Sequence, residues 1–210
     1  DRYEVLLISD EVITGFGRTG RWFALEHWGI TPDILQFAKG ITSGYFPLGG
    51  VGVSVAVKEV MDSVPAGRRW MHGYTCSAHP AGCAVALANI RILEEEGLVE
   101  RAAVQGERLL GKLSLLGDRP HVGEIRGLGL LAGIELVADK ASGARYPSEL
   151  GIGKKLRNAL FSRGLLTRLI DETICLAPPL VIGDHDIDRI AEIVGEAVEE
   201  VTEHDRGKTR

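Results

Sequence analysis

The sequence predicts an α/β protein in two parts: a layered first part with a mainly parallel sheet and flanking helices, then a smaller α+β part. Three observations carry this. Short apolar strands alternate with helical stretches from Glu4 to Leu116. Val5-Leu6-Leu7-Ile8 is a continuous apolar run of the kind found in parallel strands buried on both faces. Beyond Gly117 to Pro120 the pattern shifts to closely spaced strands, which sets the division at 1–117 and 118–210.

The elements follow in order. Glu4 to Ser9 reads as a strand, Trp22 to Trp28 as a short helix, and Ile34 to Ala38 and Gly50 to Val57 as two more strands. A long helix starts at Pro80 and runs to Leu93, apolar all round in its early turns and so expected to be buried. Glu94-Glu95-Glu96 ends it, with Gly97 in the left-handed position past the helix end. Leu98 to about Leu116 is a more amphipathic helix. Val122 to Arg126 and Leu128 to Val137 read as strands, followed by a polar loop and a helix to about Phe161. Strands are expected at Leu165 to Leu169 and Thr173 to Leu176. The last helix lines up Ile187, Ile190, Ile193 or Val194, Ala197 and Val201 on one face, with Asp184 or Asp186 as its N-cap. His204 to Arg210 reads as a charged, frayed tail.

Composition narrows the class. With 210 residues, 45% hydrophobic and 25% charged, the chain can bury one large core or two small ones. A net charge of −5 gives no electrostatic reason for a nucleic-acid or membrane partner. No apolar run approaches the roughly 18 residues of a membrane span. Cys76, Cys83 and Cys175 are scattered, without metal-ligand spacing, and suggest a reducing, cytoplasmic setting. The six histidines also lack metal spacing, so no metal is expected. The chain opens on Asp1 with no leader-like segment, and its first strand has no partner before it; we read this as a start inside a larger domain.

Gly15-Phe16-Gly17-Arg18-Thr19-Gly20 fits the glycine spacing of a dinucleotide loop. That motif needs its first glycine at the strand–helix turn, where the helix N-terminus faces a pyrophosphate. Here Gly15 lies several residues past the strand, and Asp10 and Glu11 intervene. Carboxylates there would repel a pyrophosphate, so the match is rejected.

Asp10 and Lys39 are the more informative pair. Asp10 closes one apolar strand, and Lys39 follows another, Ile34-Leu35-Gln36-Phe37-Ala38, just where open α/β sheets present functional groups. Taken singly, Asp10 reads as a turn cap and Lys39 as a lysine at a strand end. The flanking text changes the weighting. Asp10-Glu11-Val12, the glycine segment, Pro32-Asp33, Ala38-Lys39-Gly40 and Pro47-Leu48-Gly49-Gly50 together resemble the class III (omega) aminotransferases of the pyridoxal-phosphate (PLP) fold type I. The resemblance continues through His72-Gly73-Tyr74-Thr75, His79-Pro80, Arg126-Gly127, Gly129-Leu130 and Ala177-Pro178-Pro179-Leu180-Val181-Ile182, and so covers nearly the whole chain.

The resemblance implies a role for each position. Lys39 would form the Schiff base with the PLP aldehyde and then act as general base and acid, tasks that suit a desolvated amine. Asp10 would pair with the pyridine nitrogen, and Val12, two residues on along the same strand, would lie flat on the ring. Thr75 would reach the cofactor phosphate of the neighbouring subunit, making the protein a homodimer with a shared active site, or a tetramer built from such dimers. Arg168 would bind a substrate carboxylate with its planar guanidinium. Arg126 is the weaker candidate for that task and is read as structural, and His79 as a helix-start residue. The substrates would be an amine or amino-acid donor and a 2-oxo acid acceptor such as pyruvate. Trp22-Phe23 and Gly44-Tyr45 look most like the amine or omega-amino-acid–pyruvate branch, and diamines such as putrescine fit equally.

The resemblance covers only the C-terminal half of such an enzyme. The other half supplies the phosphate loop, the aromatic residue on the ring and much of the substrate pocket, which implies a fragment with little or no activity of its own. Two rival readings stay open: an aminomutase or decarboxylase of the same family, and a non-catalytic chain that serves as a partner.

Overall fold

A computed structural model describes residues 2–69 and 71–203, so the tail at 204–210 lies outside the described residues. The chain divides into two compact units, Asp1–Glu100 and Arg101–Arg210.

The first unit is built on a three-stranded sheet: β1 (Ile8–Asp10), β2 (Ile34–Phe37) and β3 (Gly50–Val53), in that order. β1 and β2 are parallel, with Ser9 opposite Leu35 and Asp10 opposite Gln36. β3 runs antiparallel to β2, so this short sheet has one parallel and one antiparallel pairing. The first strand is shorter than expected, and none of its residues is buried: Leu6 is 58% and Ile8 55% exposed. The apolar run that reads as a doubly covered strand is therefore uncovered in this chain.

Helix α1 (Val55–Ser63) replaces the tail of the strand expected over Gly50 to Val57. Val55-Ala56-Val57 carries β-branched residues, but Ser54 decides the outcome, because its hydroxyl accepts from the Val57 N–H at 3.3 Å and caps the helix. Helix α2 (Pro80–Glu95) starts where proline at its first turn predicts. His79 is its N-cap, accepting from the Ala81 N–H at 3.2 Å, as a helix-start residue should. Gly97 follows the helix at φ 59°, the left-handed position expected of it. The helix is not buried all round, however. Gly82, Ala86 and Leu93 are buried on one face, whereas Leu87 is 66% exposed.

The second unit contains the chain's main core. Helix α3 (Leu98–Ser114) leads into the antiparallel strands β4 (Val122–Leu128) and β5 (Leu131–Leu136), joined by a tight turn at Gly129-Leu130. Helix α4 (Ile152–Ser162), strands β6 (Arg168–Ile170) and β7 (Thr173–Leu176) and helix α5 (Asp184–Glu203) complete it. The sheet order is β4-β5-β7-β6, antiparallel throughout. Burial alternates along β5 and β7, so one face (Ala132, Ile134, Leu136, Ile174, Leu176) meets the helices. Leu109, Leu113, Leu156, Leu160, Ile187 and Val194 fill the space, and each such side chain stabilises the fold by roughly 1.5–3 kcal/mol.

The last helix begins at Asp184, which places Asp184 and Asp186 in its first turn rather than at its cap. Their neighbours explain the choice: Asp184 accepts from Gln105 Nε2 at 2.9 Å, and Asp188 pairs with Arg108 at 2.8 Å and Lys112 at 3.1 Å, fastening α5 to α3. β6 begins at Arg168, three residues later than the apolar run suggests.

Two glycines of α3 offer a controlled comparison. A Cβ on Gly106 would lie 2.3–2.4 Å from the Gly129 backbone, whereas one on Gly111 meets nothing within 4 Å. Gly111→Ala should raise stability by about 0.5–1 kcal/mol through helix propensity. Gly106→Ala should lower it by more than about 1–3 kcal/mol, because backbone must move. Denaturant titration followed by circular dichroism reads both, and equal effects would contradict the close approach.

Candidate active site

The parallel pairing of β1 and β2 brings their carboxyl ends together. Adjacent strands lie about 4.8 Å apart, and Asp10 ends β1 opposite Gln36, three residues before Lys39. Asp10 and the segment leading to Lys39 thus leave the sheet from the carboxyl ends of neighbouring strands, where α/β folds place their chemistry.

Each end is held by its own contacts. Asp10 Oδ1 accepts from the Val12 N–H at 3.0 Å, which turns the chain out of the strand. Val12 therefore sits in a turn and not on the strand with Asp10. Its neighbour Glu11, 1% exposed, does the fastening. The Glu11 carboxylate accepts from the backbone N–H groups of Ala24 at 3.0 Å and Leu25 at 3.1 Å, and from the Thr14 hydroxyl. Its own N–H donates to Gln36 O at 2.9 Å, and its carbonyl accepts from Gly15 N–H at 2.9 Å. One residue thus ties the end of β1 to β2 and to the glycine segment.

The glycine segment is a run of turns, with Phe16, Gly17 and Gly20 at positive φ. Phe16 is buried between the rings of Phe23 (5.4 Å) and Phe37 (5.9 Å). A Cβ on Gly40 would lie 3.0 Å from Phe16 Cβ and 3.1 Å from Gly15 O, so the segment packs directly under the residue after Lys39. The segment therefore serves as packing for the lysine turn.

Lys39 opens a 3₁₀ turn (Lys39–Ile41) with φ 44°, in the left-handed region. That conformation costs an L-residue about 1–2 kcal/mol and collects at functional positions. The Lys39 side chain is exposed.

Thr75 and Arg168 belong to other segments of the chain. Thr75 is exposed in the turn closed by Ser77 N–H to Tyr74 O, and makes no hydrogen bond to Asp10 or Lys39 among the described residues. Arg168 is an exposed residue opening β6 in the second unit. Just before it, Leu165, Leu166 and Thr167 line an apolar cavity of about 420 Å³ with the Pro178-Pro179 segment. Arg126 is paired with Glu124 at 2.7 Å and Glu135 at 3.4 Å on the sheet. No cluster of three or more metal-ligating side chains exists among the described residues, and none of their helices is long and apolar enough to cross a membrane.

Sequence reasoning missed Glu11 and Asn89. Asn89 donates from Nδ2 to Gly40 O at 2.9 Å and Ile41 O at 3.1 Å, gripping the Lys39 turn from α2. Its signal was a polar residue on the helix stripe 82, 86, 89, 93, whose other members are buried. Glu11 had no comparable signal, since its partners lie 13 and 14 residues away.

Comparison with known proteins adds three findings. The model of the family "Aminotransferase class-III" matches residues 1–198. The chain is 44% identical over 190 residues to a putrescine–pyruvate aminotransferase of Pseudomonas aeruginosa, covering 90% of this chain and 41% of that protein. It also superimposes on the crystal structure of an (S)-enantioselective omega-transaminase from Thermomicrobium roseum with a TM-score of 0.91 and 50% identity, over 95% of this chain and 44% of that one. The chain thus spans less than half the length of these relatives.

Two expectations follow from the local geometry. Lys39→Gly should be more stable than Lys39→Ala by about 1 kcal/mol, because only glycine relieves the positive φ; equal unfolding midpoints would remove the strain argument. Glu11→Ala should cost about 2–5 kcal/mol by leaving buried N–H groups unpaired, and should open the 14–25 segment to limited proteolysis.

Proposed function

The chain belongs to the class-III aminotransferases, and on that premise we propose that it carries the central lysine of a PLP-dependent aminotransferase acting on an amine or omega-amino acid donor and a 2-oxo acid such as pyruvate. The observation that supports this best is the emergence of Asp10 and Lys39 from the carboxyl ends of two adjacent parallel strands. The donor set fits two ends of the cofactor: a carboxylate for a pyridine nitrogen and a primary amine for an aldehyde. Asp10 Oδ2 makes no hydrogen bond among the described residues and so has a lone pair to offer, while Oδ1 is fixed by Val12.

The bound cofactor would supply an electron sink for the substrate carbanion. The chain's own residues do the rest. Lys39 Nζ would hold the cofactor through its aldehyde and would serve as the base and acid that moves the substrate's proton. Asp10 would pair with the ring nitrogen and favour its protonated form. Val12 would pack on the ring face, Thr75 would bind the phosphate held in the neighbouring subunit of a homodimer, and Arg168 would receive the acceptor's carboxylate through its planar guanidinium. Three unpaired cysteines accord with a cytoplasmic setting. A second reading, a non-catalytic chain that acts as a partner, is favoured by the exposure of both Lys39 and Thr75.

The test is direct. PLP should produce a visible absorbance band that borohydride fixes as a covalent adduct, and peptide mapping should place the adduct on Lys39. Lys39→Ala should abolish the band, and Asp10→Asn should weaken it. Any turnover of putrescine or an omega-amino acid with pyruvate, weak at best in a chain that spans less than half of its relatives, should yield alanine. Absence of the band at excess PLP favours the non-catalytic reading; carbon dioxide release without alanine would point to decarboxylation instead.

A further inference from the structure

We propose that Asn89 is a positioning residue for Lys39: its side-chain amide completes the hydrogen bonding of the lysine turn from outside and holds the Lys39 backbone in its left-handed conformation. The inference rests on the reading of Lys39 as the cofactor lysine. Asn89 itself touches no reacting atom.

The turn needs such a partner. Lys39–Ile41 is a single 3₁₀ turn closed by Ile41 N–H to Ala38 O and Thr42 N–H to Lys39 O, both 3.2 Å. A short turn of this kind leaves its last carbonyls without backbone donors. The Ser43 N–H reaches Gly40 O only at a long 3.4 Å. Asn89 Nδ2 reaches Gly40 O at 2.9 Å and Ile41 O at 3.1 Å, supplying the donors that a continuing helix would have provided.

The orientation of the amide is also determined. Asn89 Oδ1 accepts from the Ser43 hydroxyl at 2.7 Å. Turning the amide over would set its oxygen against two carbonyl oxygens and lose both donors. Ser43 is itself at φ 48°, so the two residues in left-handed conformation, 39 and 43, bracket the carbonyls that Asn89 binds.

The rest of the stripe prevents retreat. Gly82 lies against the Phe46 ring, where a Cβ would come within 2.7 Å, and the buried Thr42 hydroxyl donates to Phe46 O at 2.6 Å. Helix α2 thus approaches segment 40–46 closely at one end and grips the lysine turn by Asn89 further along. On the opposite side, Phe16 and Gly15 press on Gly40. A turn pinned on both sides can keep a strained lysine pointed one way without covering it.

The experiment has two arms on the same chain. In the first, amide hydrogen exchange is measured without cofactor for peptides spanning residues 38–46. Asn89→Ala should speed exchange there, with far-UV circular dichroism unchanged; unchanged exchange would overturn the clamp. In the second, the chain is treated with PLP and borohydride, and adducts on Lys39 are compared with those on exposed Lys58 and Lys154 in the same digest. The ratio of Lys39 to the other two should fall about tenfold, the scale of losing two hydrogen bonds, in Asn89→Ala. Asn89→Asp keeps the size and the Ser43 contact but replaces donors by an acceptor, and should fall as far or further. This isosteric variant serves if the alanine variant does not fold. Faster exchange with an unchanged Lys39 ratio would reduce Asn89 to a structural residue and sink the proposal. A wild-type chain with no preference for Lys39 would defeat the functional reading, leaving the first arm to judge the clamp separately.

Discussion

Backbone hydrogen bonds between β1 and β2 set Asp10 opposite Gln36, and the candidate chemistry depends on that register. A slip of one residue would turn Asp10 to the other face of the sheet and separate it from the lysine that follows β2. The strands themselves are only three and four residues long, too short to secure a register by pairing alone. The surrounding contacts therefore converge on their ends. Glu11 binds β2 and Gly15 through its backbone, and Thr14, Ala24 and Leu25 through its carboxylate. Phe16 fills the space beneath Gly40, and Asn89 closes the turn from α2. Polar side chains act here as fasteners of the main chain, and the ionisable pair is what they present.

Much of this plan was legible in the residues. Lys39 and Asp10 stood at the ends of apolar runs, and those runs became the parallel strands. Pro80 and Gly97 punctuated α2 where helix chemistry says they should, and His79 proved to be its cap. The strand expected at Thr173 to Leu176 formed, and the stripe of α5 reappeared as a buried face. What escaped was either overridden locally or carried by distance. Helix α1 was hidden because Val55-Ala56-Val57 has the composition of a strand, while the deciding bond is a single hydroxyl at Ser54. The grip of Asn89 on Gly40 spans 49 residues of sequence, which no periodicity reports. Val5-Leu6-Leu7-Ile8 had the composition of a covered strand, but cover is a property of neighbours, and this chain spans less than half of its relatives.

Asp184, Asp186 and Asp188 show how one residue type can serve different ends on one helix. Acidic residues near a helix start favour the helix dipole wherever they sit in the first turn, so composition alone does not single out a cap. Arg108 and Lys112 make the distinction by pulling Asp188 into a pair across α3. The Lys112 hydrogen bond first, and Arg108 after it, hold the Asp188 carboxyl below its usual range. The fastening therefore belongs to pH values above that range and fades as acid protonates the group.

The two units bury their apolar residues very unequally. The second closes a continuous core, whereas no residue of β1, β2, β3 or α1 in the first is buried. Cooperativity in unfolding comes from shared burial, and here it is concentrated in one half of the chain. Heat or denaturant should accordingly meet two subsystems, one melting as a block and one loosening by degrees. A single transition temperature would describe the first of these and conceal the second. The half that carries Asp10 and Lys39 is the half with least thermodynamic reserve.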